Sequence, residues 1–98
     1  MQLESEYEKH VVKRLKYLFP GCIIRKQTPY PQGWPDRVIY WGEHWAMLEI
    51  KRSPKAALRP NQLHYVNKLN EMSFAALIHP GNEEEVLDAL QRAFRTRR

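Results

Sequence analysis

Cysteine is almost absent from this chain, and its scarcity excludes two kinds of cross-link. A single cysteine, Cys22, rules out a disulfide within the chain and a zinc site built from several cysteines. Because Cys22 begins a short apolar run, we expect a buried, unreactive thiol in a reducing compartment. Long hydrophobic runs are lacking too: none approaches the ~20 residues of a membrane span. The polar segment 1–6 is unlike a signal peptide. The chain is therefore expected to be intracellular, with no membrane association.

Acidic residues are the minority charge. The 16 lysines and arginines outnumber the 11 aspartates and glutamates and give a formal net charge of +5, with a pI near 9.6. This balance favours a polyanionic partner such as nucleic acid, although an ordinary solvated basic surface would have the same composition. The 98 residues, 43% of them hydrophobic, suffice for one compact domain over residues 1–98 and are too few for two.

Apolar spacing predicts the secondary structure. Three segments repeat apolar residues at three- and four-residue steps, as amphipathic helices do, and four short apolar runs are bounded by turn residues, as strands are. In chain order these are helix 3–19, strands 22–25, 37–41 and 45–51, helix 61–72, strand 74–78 and a helix after residue 82. The predicted protein is α/β, with the order helix, three strands, helix, strand, helix.

Specific residues mark the last two helices. Asn61 and Asn82 are expected to be their N-caps. The apolar stripe of the second helix is assigned to Leu63, Val66 and Leu69, with Tyr65 and Met72 as further candidates. Glu83, in the first turn of the third, is expected to interact with the positive end of the helix dipole.

A predicted hairpin carries the residues that most suggest chemistry. Asp36 opens its first strand and Glu49 and Lys51 end its second, so antiparallel pairing would bring them to one edge. Alternation places Glu49 and Lys51 on one face and their apolar neighbours on the other. Burying these charges in so apolar a hairpin would cost several kcal/mol, on the order of 3–5, without a cation or partner. The pattern predicts a metal site; the alternative is a turn cap beside a solvated cross-strand pair.

Two acidic residues of the first helix are candidates to complete this site. On a helical wheel, Glu4 and Glu8 fall within or beside the apolar stripe. Glu4 is near the helix N-terminus, where the dipole alone favours an acid. Glu8 lies deeper, and a site role is as well supported for it as a place at the margin of the stripe. Which of the two is the helix-borne acid of the site stays open.

These residues resemble the PD-(D/E)xK nuclease superfamily. Pro35-Asp36 followed by Glu49-Ile50-Lys51, with Glu8 in the first helix, is similar to the motif of that superfamily. The order of helices and strands matches as well. The resemblance implies a restriction-endonuclease-like αβββαβα core, in which a mixed central sheet is flanked by helices.

A narrower likeness comes from the residues around the motif. Gly33-Trp34-Pro35-Asp36, Glu49-Ile50-Lys51-Arg52 and Gln62 resemble the VRR-NUC group, including its short stand-alone viral and phage members. The first helix is also similar to that of archaeal Holliday junction resolvases. The resemblance implies one VRR-NUC-like nuclease domain over residues 1–98, acting in the cytoplasm or nucleoid of a host cell.

The resemblance implies a divalent-metal site. Asp36 and Glu49 would bind Mg²⁺ or Mn²⁺ together with the Ile50 carbonyl, and Glu8 would complete or support the cluster. Carboxylate and carbonyl oxygens suit these hard cations better than zinc. The catalytic residues would be Asp36 and Glu49 with Lys51 and Gln62. The implied DNA contacts are Arg37, Arg52, Lys55 and Arg59.

Lys51 and Gln62 have separate implied roles. Lys51 would position or activate the attacking water, and Gln62 would orient groups at the site. For Gln62 the alternative is a helix-start residue that hydrogen bonds locally. Tyr30 and Trp34, in the proline-rich segment before Asp36, are expected to include one packing residue; base stacking stays open for the other.

The function implied by the resemblance is a metal-dependent, structure-specific DNA endonuclease. A chain with one site would have to act as a homodimer to place two symmetric nicks in a four-way (Holliday) junction during DNA repair. Flaps, nicks and duplex DNA are alternative substrates. A second class of function is a non-catalytic DNA-binding or assembly domain with the same fold and basic surface.

Overall fold

The computed structural model describes residues 3–28 and 30–96, and within them it confirms the predicted order of elements. Met1, Gln2, Pro29, Arg97 and Arg98, which belong to the predicted domain, lie outside the described residues. Each boundary lies within one residue of its predicted position. The elements are α1 (Glu4–Leu18), β1 (Ile23–Lys26), β2 (Arg37–Trp41), β3 (His44–Ile50), α2 (Gln62–Met72), β4 (Phe74–Ile78) and α3 (Glu83–Thr96).

The strands form one mixed sheet in the order β1-β2-β3-β4, which confirms the predicted fold class. β1, β2 and β3 are successively antiparallel, whereas β4 runs parallel to β3. A two-residue loop joins β2 to β3, and its first residue, Gly42, has the positive φ of 62° that such tight hairpins favour. The parallel pair requires a crossover, which α2 provides.

Apolar side chains are buried on both faces of the sheet. The larger cluster lies under α1 and α3 and includes Val11, Leu15, Leu48, Ile50 and Leu90. The smaller one joins α2 to the opposite face. Because successive side chains of β3 alternate between these clusters, Glu49 and Lys51 share the face that α2 covers. Full burial of one such aliphatic side chain stabilises a fold by about 1.5–3 kcal/mol.

Predicted details of burial and capping differ in part from the structure. Leu63 and Met72 are 52% and 62% exposed, because the buried stripe of α2 runs through Gln62, Val66 and Leu69. Asn61 is the N-cap residue of α2 as predicted, but it has a left-handed conformation, with φ 70°, and its side chain makes no capping bond within the described residues. The Asn82 Oδ1 accepts a hydrogen bond from the His79 amide at 2.9 Å, so Asn82 fastens the turn after β4 and does not cap α3.

The thiol of Cys22 is half-buried, where the sequence predicted full burial. Its Sγ lies 3.9 Å from the Leu15 carbonyl oxygen. Burial raises the pKa of the Cys22 thiol, which keeps it protonated and unreactive as expected.

A cluster of charges joins α1 to α3. Glu83 is only 8% exposed. Its carboxylate accepts hydrogen bonds from the Tyr7 hydroxyl at 2.9 Å and from Arg14 Nη1 at 2.8 Å, and lies 2.8 Å from His10 Nε2. Burial acts to raise the pKa of Glu83, but the bonds to Arg14, His10 and Tyr7 together lower it below its usual range. Glu83 therefore does more than favour the helix dipole, because it connects the two helices that cover one face of the sheet.

No helix among residues 3–28 and 30–96 has the length and apolar character needed to cross a bilayer.

Candidate active site

The β2–β3 hairpin brings Asp36 and Glu49 together. Arg37 pairs with Leu48 in the antiparallel register, so the residues next to this pair, Asp36 and Glu49, meet at one end of the hairpin. The Ile50 amide donates a hydrogen bond to Asp36 Oδ1 at 3.3 Å. Both carboxylates line a cavity of about 400 Å³ that is open to solvent. The predicted convergence of charges at this edge is therefore present in the structure.

Glu49 is the most deeply buried acid of the cavity, at 2% exposure. Its Oε2 accepts a hydrogen bond from Gln62 Nε2 at 2.8 Å and lies 3.5 Å from Lys51 Nζ. Its Oε1 is buried and has no hydrogen-bond partner among the residues that the structure describes. Burial raises the pKa of Glu49, and the neighbouring Lys51 ammonium opposes that rise. One oxygen of this carboxylate is therefore fixed in place by its neighbours, whereas the other is not.

Gln62 connects the loop after β3 to the carboxylate. Its side chain is 2% exposed. The Oε1 accepts from the Arg59 amide at 2.7 Å while the Nε2 donates to Glu49. The local hydrogen bond and the site contact, which the sequence offered as alternatives, are thus both made by one amide group.

Gly33 determines how the segment before β2 packs against α2, a contact that the sequence analysis missed. Its φ is +96°, and a Cβ at this position would lie 2.5 Å from the carbonyl carbon of Asn61. Next to it, the Trp34 ring packs on Tyr65 with 5.6 Å between centroids. Asp36 and Gln62 therefore belong to two segments in direct contact. A glycine beside a tryptophan, with an asparagine at a helix start, was the available signal.

Two of the three acids of α1 reach the cavity. Glu4 and Glu8 line it together with Asp36 and Glu49. The Glu4 Oε1 accepts a hydrogen bond from the Arg52 amide at 3.3 Å. Glu8 is at the site as the sequence suggested, but its Oε1 accepts from Arg37 Nη2 at 3.1 Å.

The four predicted DNA contacts divide into two environments. Arg52 and Arg59 line the cavity and are exposed, and Lys55 is exposed on the same loop. Arg37 differs, because its side chain is 13% exposed and its guanidinium is paired with Glu8. The two aromatic residues before Asp36 also differ in environment. The Trp34 ring packs on Tyr65, whereas Tyr30 is 85% exposed.

The donor set fits a magnesium-like ion with few protein ligands. Within the part of the chain that the structure describes, no three histidine, cysteine, aspartate or glutamate side chains are grouped so as to hold a metal. What remains is the pair of carboxylates of Asp36 and Glu49, and Glu49 Oε1 is buried without a hydrogen-bond partner among the described residues. Mg²⁺ binds through one or two carboxylates and keeps several waters, so this pair of acids fits Mg²⁺ or Mn²⁺.

Electrostatics at the cavity also favour a cation. Burial and the adjacent Glu49 carboxylate raise the pKa of Asp36 to about 7, while the Ile50 amide and Arg37 oppose that rise. Two carboxylates this close resist being ionised together. A divalent cation would neutralise that repulsion.

Comparison of the chain with protein-family models, with curated proteins and with solved structures finds no match.

Proposed function

We propose that this chain is a divalent-metal-dependent DNA endonuclease of the VRR-NUC type. The observation that carries the proposal is the buried Glu49 carboxylate beside Asp36, which has one oxygen held by Gln62 and the other without a partner among the described residues. A buried acid beside a half-buried one in an open cavity is costly in a purely structural role and useful in a site that binds a cation.

The roles of the residues follow from their chemistry. Asp36, Glu49 and the Ile50 carbonyl would hold Mg²⁺ or Mn²⁺. When bound, the cation would supply positive charge to the transition state of phosphodiester hydrolysis and acidify water. The ammonium of Lys51, 3.5 Å from Glu49, would lie where the attacking water or the phosphate is positioned. Gln62 would keep Glu49 in one orientation through its hydrogen bond.

The proposed substrate is branched DNA, with a four-way junction first and flaps, nicks or duplex DNA as alternatives. Support comes from the loop between β3 and α2, where the exposed Arg52, Lys55 and Arg59 lie at or beside the cavity. These cations would contact phosphates on either side of the scissile bond. Two symmetric nicks by a chain with one site would require a twofold homodimer. We place this activity inside a cell, in DNA repair.

A cleavage panel tests the proposal. Four-way junction, splayed arm, flap, duplex and single-stranded DNA are incubated with the protein in Mg²⁺, in Mn²⁺ and in EDTA. We expect metal-dependent cutting that Asp36→Asn and Lys51→Ala each reduce by at least about 100-fold. The matched controls Asp88→Asn and Lys68→Ala change exposed residues of α3 and α2 and should cut normally. Full activity of either site variant would overturn the assignment.

The second candidate is a non-catalytic DNA-binding or assembly domain. It is favoured by the absence, among residues 3–28 and 30–96, of three side chains grouped to hold a metal. This candidate predicts salt-sensitive DNA binding without cleavage, and a melting temperature that Mg²⁺ and Mn²⁺ leave unchanged.

A further inference from the structure

Arg37 and Glu8 form an ion pair at the edge of the cavity. The proposed reaction assigns no role to this pair. The Arg37 Nη2 donates to Glu8 Oε1 at 3.1 Å. The two side chains are 13% and 18% exposed, and they line a second open cavity on the outer side of α1. A partly buried pair of this kind is held more firmly than a surface pair, because either charge left alone would be partly desolvated and uncompensated.

A second contact fixes the guanidinium. The Arg37 Nη1 donates to the carbonyl oxygen of Asp36 at 3.3 Å. Arg37 is therefore bonded both to the backbone of one cavity acid and to the side chain of another. Because the guanidinium is a rigid planar fork, the two bonds together determine where the Glu8 carboxylate lies.

Glu8 lines the cavity with Asp36 and Glu49 but is not grouped with them for metal binding in the described part of the chain. We propose that Arg37 is a positioning residue that holds Glu8 outside the inner ligand shell of the metal site. The site would then bind its cation through Asp36, Glu49 and the Ile50 carbonyl. This inference rests on the proposed metal-binding function and assigns a role to a residue that the sequence placed among the DNA contacts.

The role has a clear physical consequence. The number of charged ligands in a cation site sets its affinity, and a third carboxylate both binds the ion and displaces a water. By keeping Glu8 on Arg37, the chain limits the site to two acidic ligands and leaves more positions of the cation to water and phosphate. Release of Glu8 should therefore strengthen binding of the free ion.

A double-mutant cycle separates ligation from simple charge. Mn²⁺ binding is measured by calorimetry, without DNA, for wild type, Arg37→Gln, Glu8→Gln and the double variant. If only the loss of the Arg37 charge matters, Arg37→Gln strengthens Mn²⁺ binding by the same factor with or without Glu8. If Arg37→Gln also releases Glu8 to bind the ion, there is a further gain in affinity, and only chains that keep Glu8 show it. We expect Arg37→Gln to raise affinity at least about fivefold more in chains that keep Glu8 than in chains that carry Glu8→Gln.

The matched control is Arg52→Gln, which removes another cation lining the same cavity. Its effect on Mn²⁺ affinity should be the same in the wild-type and Glu8→Gln backgrounds, since the Glu8 side chain is bonded to Arg37 and not to Arg52. Folding of every variant is checked by thermal unfolding in EDTA. Arg37→Met, which keeps the aliphatic stem, replaces Arg37→Gln if the latter does not fold.

Glu8→Gln alone gives an independent answer, whatever the stability of the Arg37 variants. If Glu8 is outside the inner shell, Glu8→Gln weakens Mn²⁺ binding less than about tenfold. The weakening comes only from the Arg37 charge, which has lost its partner and lies near the ion. A larger loss, or an Arg37→Gln gain that is equal with and without Glu8, would overturn the positioning role. Wild-type protein that shows no Mn²⁺ binding dependent on Asp36 would instead overturn the proposed function, and the inference with it.

Discussion

The two carboxylate oxygens of Glu49 affect the site in different ways. Their situations are opposite, since Oε2 has Gln62 and Lys51 beside it and Oε1 has no partner in the described part of the chain. A buried polar atom without a hydrogen bond costs a fold roughly 1–3 kcal/mol. That cost is recovered when a ligand occupies the position, so it couples stability to binding.

The raised pKa of Asp36 leads us to expect an unusual dependence of the free energy of unfolding on pH. Its pKa is about 7 in the fold against a usual 3.8. The folded chain binds this proton more tightly than the unfolded chain, so its contribution to stability falls as pH rises from about 4 to 7 and is level above that. In EDTA, the stability of wild type relative to Asp36→Asn should fall by roughly 2–3 kcal/mol between pH 5 and pH 8.

Urea unfolding of both chains at the two pH values checks this expectation. Addition of Mn²⁺ at pH 8 should raise the free energy of unfolding of wild type and leave that of Asp36→Asn unchanged. The pKa of Glu49 is also raised, and because Glu49 is present in both chains, it acts in the same direction on the stability of each. A stability difference that does not change with pH would show that Asp36 is ionised normally.

At the scale of elements, three segments of the chain together form the site. The hairpin contributes Asp36 and Glu49, the start of α2 contributes Gln62, and α1 contributes two of its three acids. Gly33 permits the closest of these approaches, because the chain before β2 lies directly on the backbone of Asn61. Precision at the cavity therefore depends on loop packing as well as on the sheet.

Gly33→Ala should be more damaging than an ordinary glycine substitution. The new Cβ would lie 2.5 Å from the Asn61 carbonyl carbon, in addition to the strain of a positive φ. We expect a loss of roughly 2–4 kcal/mol in urea unfolding and a smaller stabilisation by Mn²⁺, since Asp36 moves with the loop.

Gly21→Ala is the matched control for this substitution. Gly21 also has a positive φ, +85°, but a Cβ there meets nothing within 4 Å. It should cost about 1 kcal/mol, the strain alone, with normal stabilisation by Mn²⁺. Equal costs for the two alanines would mean that the contact with Asn61 does not position the loop.

For the whole molecule, the net charge of +5 matters through its distribution. Exposed cations beside the cavity would contact phosphate, and each contact releases counterions. We expect neutralising Arg52, Lys55 and Arg59 to glutamine to reduce the slope of log affinity against log salt by about 2–3 for junction binding in EDTA. Neutralising three exposed lysines that do not line the cavity should leave the slope nearly unchanged. Those are Lys13, Lys16 and Lys68.

Fluorescence anisotropy of a labelled four-way junction over a range of salt concentrations measures both slopes. Equal slopes for the two triple variants would place the DNA elsewhere on the surface. Two chains per junction at saturation would agree with the proposed homodimer, and one chain would contradict it.

Local patterns carried enough information to predict the fold and the centre of the site. The alternation of apolar residues and the turn at Gly42 define the hairpin, and pairing across it places Asp36 near Glu49. These are relations between neighbours in sequence or across one turn. The site role of Gln62 was predicted only through the resemblance to the VRR-NUC group, since a residue at a helix start can also hydrogen bond locally.

Relations between distant elements were not predictable in this way. Glu83 is bonded to Tyr7, 76 residues away, and that contact needs α1 and α3 to lie side by side. The pairing of Arg37 with Glu8 likewise depends on the rotation of α1 against the sheet. The exposure of Leu63 follows from the face that α2 presents to β4, which helical periodicity alone left ambiguous.

The charge cluster between α1 and α3 also acts as a mechanical anchor. One margin of α1 is fastened to the C-terminal helix through Tyr7, Arg14 and Glu83, and the other is fastened to β2 through Glu8 and Arg37. Although none of the described residues of α3 lines the cavity, this helix braces the one that does. Loss of the Glu83 carboxylate should therefore loosen α1 and, through α1, the cavity that Glu4 and Glu8 line.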